Sequence, residues 1–443
     1  VTSAFAAGLV ALAAVSPKGA GEQESTSEKG PIRVLFLGHD SKHHNSNKYY
    51  PMLAKGLGSD GIYFDYVTTV EEAFDDADFL GQFDAVLLYA NHGTITPSQW
   101  KNLKGYVEGG GGFVPVHCAS WCFGNEPEFD QLVGGRFDSH GGGTFAAKVI
   151  KAEHPAMTGV KAFEAWDETY KHRNHNEKDR TVLMVREVAG AGDNIKEPEP
   201  WTWVRTQGKG RVFYTASGHD ERVWEQSEFH QLLKAGILWA VGDTRKDSYD
   251  KFIRNRAPLK YEKRGDIANY ENRPEPLPYQ FPLPAKESMK YTQAPVGFRL
   301  ELFASEPDII NPIGLAWDER GRLWAAETVD YPNEMTPNRV GNDKIKILED
   351  TDGDGKCDKV TVFADGLNIP TSLTFSRGGI IVAHVPDFLF LKDTDGDDKA
   401  DVREVLNTGW GTGDTHAGPS NLRYGFDNWI WGAVGYSSYS GTV

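Results

Sequence analysis

Ile32-Arg-Val-Leu-Phe-Leu37 is a near-continuous apolar run, the pattern of a strand whose sheet is covered by helices on both faces. Asp84-Ala-Val-Leu-Leu-Tyr89 and Phe113-Val-Pro-Val116 repeat it. Helical segments lie between these runs. Thr96-Pro97 supplies an N-cap followed by proline at the first helical position, the helix runs to about Glu108, and Gly109 to Gly112 end it. Strands and helices alternating at this spacing predict a doubly wound α/β sheet, with its functional loops at the carboxyl ends of the strands.

Histidines stand at those ends. His39 follows the first strand in Gly38-His-Asp40, and His92 follows another in Asn91-His-Gly93. His117 ends the Phe113 run, and His219 follows the strand Val212-Phe-Tyr-Thr215 in Gly218-His-Asp220. Neutral imidazoles converging with a carboxylate bind a divalent metal, relay protons or hold a sugar hydroxyl; singly, each is equally a loop cap. Asp167 and Glu168, beside Tyr170 and before His172, are the carboxylate candidates.

The 443 residues exceed one ordinary core and predict at least two domains. A formal charge of −16 argues against a nucleic-acid partner, since nothing here would neutralise phosphates. Val1 to Val15 form an apolar, Ala-rich run followed by a polar stretch, which reads as an export signal without its charged start, with residues 1–30 as signal remnant and tail. Cys118, Cys122 and Cys357 are too few for a disulfide framework. The expectation is an exported protein, periplasmic or extracellular. Six prolines among charged residues mark 246–290 as an extended linker after the α/β domain at 31–245.

Beyond the linker an acidic loop occurs twice, 43 residues apart: Asp350-Thr-Asp-Gly-Asp-Gly-Lys-Cys-Asp358 and Asp393-Thr-Asp-Gly-Asp-Asp-Lys-Ala-Asp401. That period is one four-stranded blade, and hairpin patterns recur at Gly314, Ser372 and Asn421, so residues 291–443 are expected to form an incomplete all-β propeller. Asp350, Asp352, Asp354 and Asp358 occupy calcium-loop positions, as do Asp393, Asp395, Asp397 and Asp401, with Glu404 where the bidentate glutamate would fall. Hard oxygen ligands at this density select calcium.

Gly110-Gly-Gly-Phe-Val-Pro-Val-His-Cys-Ala119, Gly134-Gly-Arg-Phe137 with His140, His154-Pro155, Asp167-Glu-Thr-Tyr170 and Gly208-Lys-Gly-Arg-Val-Phe-Tyr-Thr215 with Gly218-His219 together resemble the ThuA-like family, named for trehalose utilisation. The resemblance implies a flavodoxin-like fold of the class I glutamine amidotransferase type. In those enzymes a cysteine nucleophile occupies the sharp turn after a strand. Here His117 takes that place, and Cys118, one residue late, is turned to the other side as a small buried hydrophobe.

Gly413-Asp-Thr-His-Ala-Gly-Pro-Ser-Asn-Leu-Arg-Tyr-Gly-Phe-Asp-Asn-Trp-Ile-Trp-Gly432 resembles quinoprotein sugar dehydrogenase propellers, and more closely the membrane-bound dehydrogenase-type domain of planctomycete and verrucomicrobial proteins. That resemblance implies His416 as general base, Arg423 as a contact to cofactor or substrate, and pyrroloquinoline quinone as hydride acceptor. A haem electron acceptor would then lie in a missing C-terminal part or a separate protein. Two readings stand: an exported carbohydrate-processing protein with a histidine-lined centre formed by His39, His92, His117 and His219, or a noncatalytic glycan-binding or scaffold protein with a calcium-clipped propeller. Convergence of the histidines with a carboxylate separates them.

Overall fold

A computed structural model describes residues 11–12, 30–190, 192–266, 278–332 and 335–441. The expected export segment lies outside these, apart from the two-residue strand Ala11–Leu12. The chain divides into two compact units, one over 18–256 with 293–297 and one over 257–292 with 298–443.

The first unit contains β1 (Ile32–Leu37), α1 (Ser46–Gly58), β2 (Ile62–Val67), β3 (Ala85–Leu88), α2 (Pro97–Glu108), β4 (Gly112–Pro115), β5 (Lys148–Val149), β6 (Arg180–Arg186), β7 (Glu199–Gln207), β8 (Gly210–Thr215), α3 (Ser227–Ala240) and α4 (Asp243–Arg254). One sheet runs β2-β1-β3-β4-β8-β7-β6-β5. It is parallel from β2 to β8 and antiparallel from β8 onward. The expected doubly wound half is therefore extended by an antiparallel wing. Alternation of strand and helix predicts only the parallel part, because the wing is made by hairpin return of the chain after β7.

Local chemistry sets these elements. At the start of α2 the Thr96 hydroxyl accepts from the Gln99 amide while the Gln99 side chain accepts from the Thr96 amide, a reciprocal cap. Helix α3 lies directly on β8 because Gly236 presents no side chain there; a Cβ would stand 2.5 Å from the Phe213 ring. Trp201, Trp203 and Phe213 are fully buried in this core. Helix α4 carries the unit past the boundary expected at residue 245, and its buried Tyr249 donates to the Asp60 carbonyl at 2.7 Å. The supposed linker thus opens as a helix, and further on holds a short strand pair, Tyr261–Lys263 with Pro278–Gln280.

The second unit is β-rich. A first antiparallel sheet orders β9 (Pro312–Trp317), β10 (Leu323–Glu327), β11 (Asp343–Glu349) and β12 (Lys359–Leu367). A second orders β13 (Ser372–Ser376), β14 (Gly379–His384), β15 (Asp387–Lys392) and β16 (Val402–Thr408), and a hairpin β17 (Ser420–Tyr424) and β18 (Ile430–Ala433) follows. Each sheet is a simple meander, and the acidic loops join its third and fourth strands. Asp343, at the head of β11, is buried and accepts from the Thr328 hydroxyl and from the amides of Val329, Asp330 and Ile369. Among the described residues no helix is long and apolar enough to cross a membrane.

Candidate metal centre at the strand ends

Four side chains from four separate segments meet beyond the carboxyl ends of the parallel strands. His44 comes from the loop between β1 and α1, His117 from the turn after β4, and His219 from the turn after β8. Glu168 comes from a two-stranded ribbon, Gly142–Ala146 with Glu164–Glu168, that folds back toward them. His117 has φ of +49°, a left-handed conformation that costs a non-glycine residue energy and so requires its surroundings to hold it. Gly218, at φ +137°, lets the β8 turn approach: a Cβ would sit 3.3 Å from that of His117.

The separations are those of a coordination sphere. Glu168 Oε2 lies 3.3 Å from His117 Nε2 and 3.7 Å from His44 Nε2, and Glu168 Oε1 lies 3.3 Å from His219 Nδ1. His219 Nδ1 is 3.3 Å from His44 Nε2. Zinc bonds of ~2.0–2.2 Å in a tetrahedron give ligand–ligand edges of about 3.3–3.6 Å, which these distances match. All four ligand atoms lie within 4.8 Å of one another.

Proton placement supports the same reading. His117 Nδ1–H donates to the Ala216 carbonyl at 2.6 Å, which leaves Nε2 as a lone pair, buried and without a hydrogen-bond partner. His44 Nδ1 is 2.8 Å from Asn91 Oδ1, so its Nε2 is likewise aimed inward as an acceptor. Such outer contacts fix tautomer and ring orientation in metal centres. Burial lowers the His117 pKa to about 4, so the imidazole is neutral and ready to ligate. Burial also works against the Glu168 carboxylate, but the histidines around it, His219 among them, outweigh burial and hold its pKa well below the usual range. His219 behaves oppositely to His117: burial opposes its charge, yet Glu168 raises it above the ordinary histidine value.

Of the expected residues, His117, Glu168 and His219 meet here. His39 does not face the cluster: its Nδ1 accepts from the Asn91 amide and its Nε2 donates to the His44 carbonyl, so it anchors the loop that delivers His44. His92 also lies outside the cluster, and its Nε2 donates to the Gly38 carbonyl. Asp167 is turned away to accept from the amides of Glu168, Gly218 and His219; burial pushes its carboxyl up to about 7. It ties the ribbon to the β8 turn. The residue missed in the sequence is His44. Its signal was its place, in a loop leaving the carboxyl end of β1, five residues beyond the histidine first chosen. His140 stands at the edge, 3.5 Å from Glu168 Oε1 and exposed. Cys118 is fully buried, and burial pushes its thiol well up, which removes it as a nucleophile. A cavity of about 400 Å³ lies along the same ribbon, with Gly142, Thr169, Arg186 and Asn194 in its wall, but none of the four cluster residues lines it.

In the second unit the acidic loops gather fewer carboxylates than expected. Asp350, Asp352 and Asp358 form one set and Asp393, Asp395 and Asp401 the other. Asp354 pairs with Lys356 and Asp397 with Lys399, while Glu404 lies exposed on β16. Both the first and last carboxylates of each loop already accept backbone amides within it. His416 is exposed, with Nδ1 3.0 Å from Asp414 Oδ1 and its ring edge-on to Tyr331. Arg423 sits exposed on β17, and no hydrogen bond joins it to His416 among the described residues.

The first unit is therefore an α/β domain with a histidine–carboxylate cluster at its strand ends. Residues 33–240 match the family described as Trehalose utilisation, and this part of the chain is ThuA-like. Residues 284–443 match a domain of unknown function, DUF7133. Among solved structures, a thua-like protein from Bacteroides uniformis ATCC 8492 is 21% identical over 49% of this chain and 95% of that one, with TM-score 0.42. One from Parabacteroides merdae ATCC 43184 is 21% identical over 48% and 90%, with TM-score 0.42. A beta-galactosidase from Rahnella sp. R3 is 16% identical over 47% and 31%, with TM-score 0.33. No curated protein matches the chain.

Proposed function

We propose that the ThuA-like unit is a divalent-metal centre acting on carbohydrate, in which His44, His117, His219 and Glu168 hold zinc or a similar first-row ion. The carrying observation is that three imidazoles and a carboxylate converge at coordination distances, with a buried, unpartnered lone pair on His117 Nε2. The metal would polarise a sugar hydroxyl or carbonyl oxygen. Around it the chain's own groups orient the ligands through Ala216 and Asn91, and Tyr170 stacks on His117 at 4.1 Å. The sugar assignment rests on the family match.

Calorimetric titration of chelator-stripped protein with zinc tests the centre, followed by sugars with and without metal. Binding should weaken as pH falls from 8 to 6. A raised His219 pKa means that protons compete for its Nδ1 in this range, whereas His117, at about 4, stays free of protons. Affinity independent of pH, or no binding, defeats the reading.

For the second unit we infer a propeller of sugar dehydrogenase type, exported with the rest of the chain, with His416 as base, Arg423 as a cofactor or substrate contact and pyrroloquinoline quinone as acceptor. Supporting the propeller, the first strands of successive sheets lie side by side: a Cβ at Gly314 would be 3.3 Å from Ser372 Cα, and the Leu422 amide donates to Ser372 Oγ. Sugar oxidation with and without the quinone tests this half. Calcium in the acidic loops would raise the melting temperature of this unit, and a chelator would lower it. Melting that is indifferent to both leaves the loops as hydrogen-bonded turns.

A further inference from the structure

We propose that a buried chain, Glu199–His172–Tyr214, positions His117 for metal binding; this rests on the metal reading above. The chain runs through the core beneath the cluster. The Glu199 carboxylate accepts from the His172 backbone amide at 3.0 Å and lies 2.9 Å from His172 Nδ1. His172 Nε2 is 2.9 Å from the Tyr214 hydroxyl. That hydroxyl lies 3.1 Å from the His117 carbonyl oxygen and 3.0 Å from Ser120 Oγ, with its single proton given to one or the other, and Ser120 Oγ itself donates to the His117 carbonyl.

Two features give this chain a purpose beyond filling space. Phenylalanine at 214 would occupy the same volume against Trp203, whose ring lies 4.2 Å away, and an apolar core would avoid the cost of burying a carboxylate. The chain also ends on the backbone of a cluster residue held in a left-handed conformation, His117. The Ala216 carbonyl fixes the His117 ring, and Tyr214 with Ser120 fixes its peptide group. Together they define where Nε2 points, since buried hydrogen bonds hold both the ring and the peptide group of His117.

The test compares Tyr214→Phe with Tyr249→Phe, which deletes a buried hydroxyl remote from the centre, bonded to Asp60. Zinc affinity is measured by calorimetry, and the coordination geometry by the visible spectrum of cobalt(II) bound in its place. Tyr214→Phe should bind zinc about 10- to 100-fold more weakly and shift the cobalt spectrum, with a melting temperature no lower than that of Tyr249→Phe. Glu199→Gln and Ser120→Ala should change affinity in the same direction, and they carry the test if Tyr214→Phe does not fold. Unchanged zinc affinity and cobalt spectrum in the folded variants overturn the proposal while leaving the metal centre standing. Absence of zinc binding by the wild-type protein instead removes the metal reading itself.

Discussion

Glu168→Gln should weaken zinc binding by the ThuA-like unit by more than about 100-fold while leaving it folded. The side chain keeps its shape, but the cluster loses the carboxylate charge that faces His117, His44 and His219 at 3.3–3.7 Å. Removing an orienting contact typically costs 10–100-fold in metal affinity; loss of a direct, charged ligand should exceed about 100-fold. A second readout follows from the apo protein. Glu168 raises the His219 pKa against the effect of burial, so in the variant the His219 imidazole should titrate at lower pH, visible by NMR. Zinc affinity equal to wild type would show that the cluster is a hydrogen-bonded loop junction and not a metal centre.

Asp343→Ala should be the most damaging single change in the second unit. Its buried carboxylate takes one hydroxyl and three backbone amides, at distances of 2.6 to 3.0 Å, and so joins the head of β11 to the loops at 328–330 and 369. Each buried donor left without an acceptor costs ~1–3 kcal/mol, so the loss is on the order of 3 kcal/mol or more. Denaturant titration of Trp324 fluorescence, in the core of this unit, reads it directly. A stability change of under about 1 kcal/mol would mean that water replaces the carboxylate at those amides.

The parallel half of the sheet was legible because its strands are continuously apolar and its helices begin with capping signals, as at Thr96. The antiparallel wing was not, since β6 and β7 mix polar and apolar residues and their pairing depends on hairpin return. The site was half legible for the same reason. Strand ends can be found from periodicity, which yielded His117 and His219, and the Asp-Glu pair gave Glu168. Which histidine of a loop turns inward depends on that loop's own hydrogen bonds: His39, spent on Asn91 and His44, is a brace, and His44 is the one that joins the cluster. Likewise the carboxylates of the acidic loops divide according to the lysine beside each, which spacing alone does not rank.

The four side chains of the cluster are drawn from residues 44, 117, 168 and 219, so no short peptide of this chain contains the proposed site. An ion bound there engages the assembled sheet and not the unfolded chain, and at a free concentration of 100 times Kd it would add about 2.7 kcal/mol to the unit's stability. Metal supply would then set not only whether the protein works but how long each copy lasts: under scarcity a larger share of molecules opens and is cleared by proteases, so the protein's abundance would follow the availability of its ion.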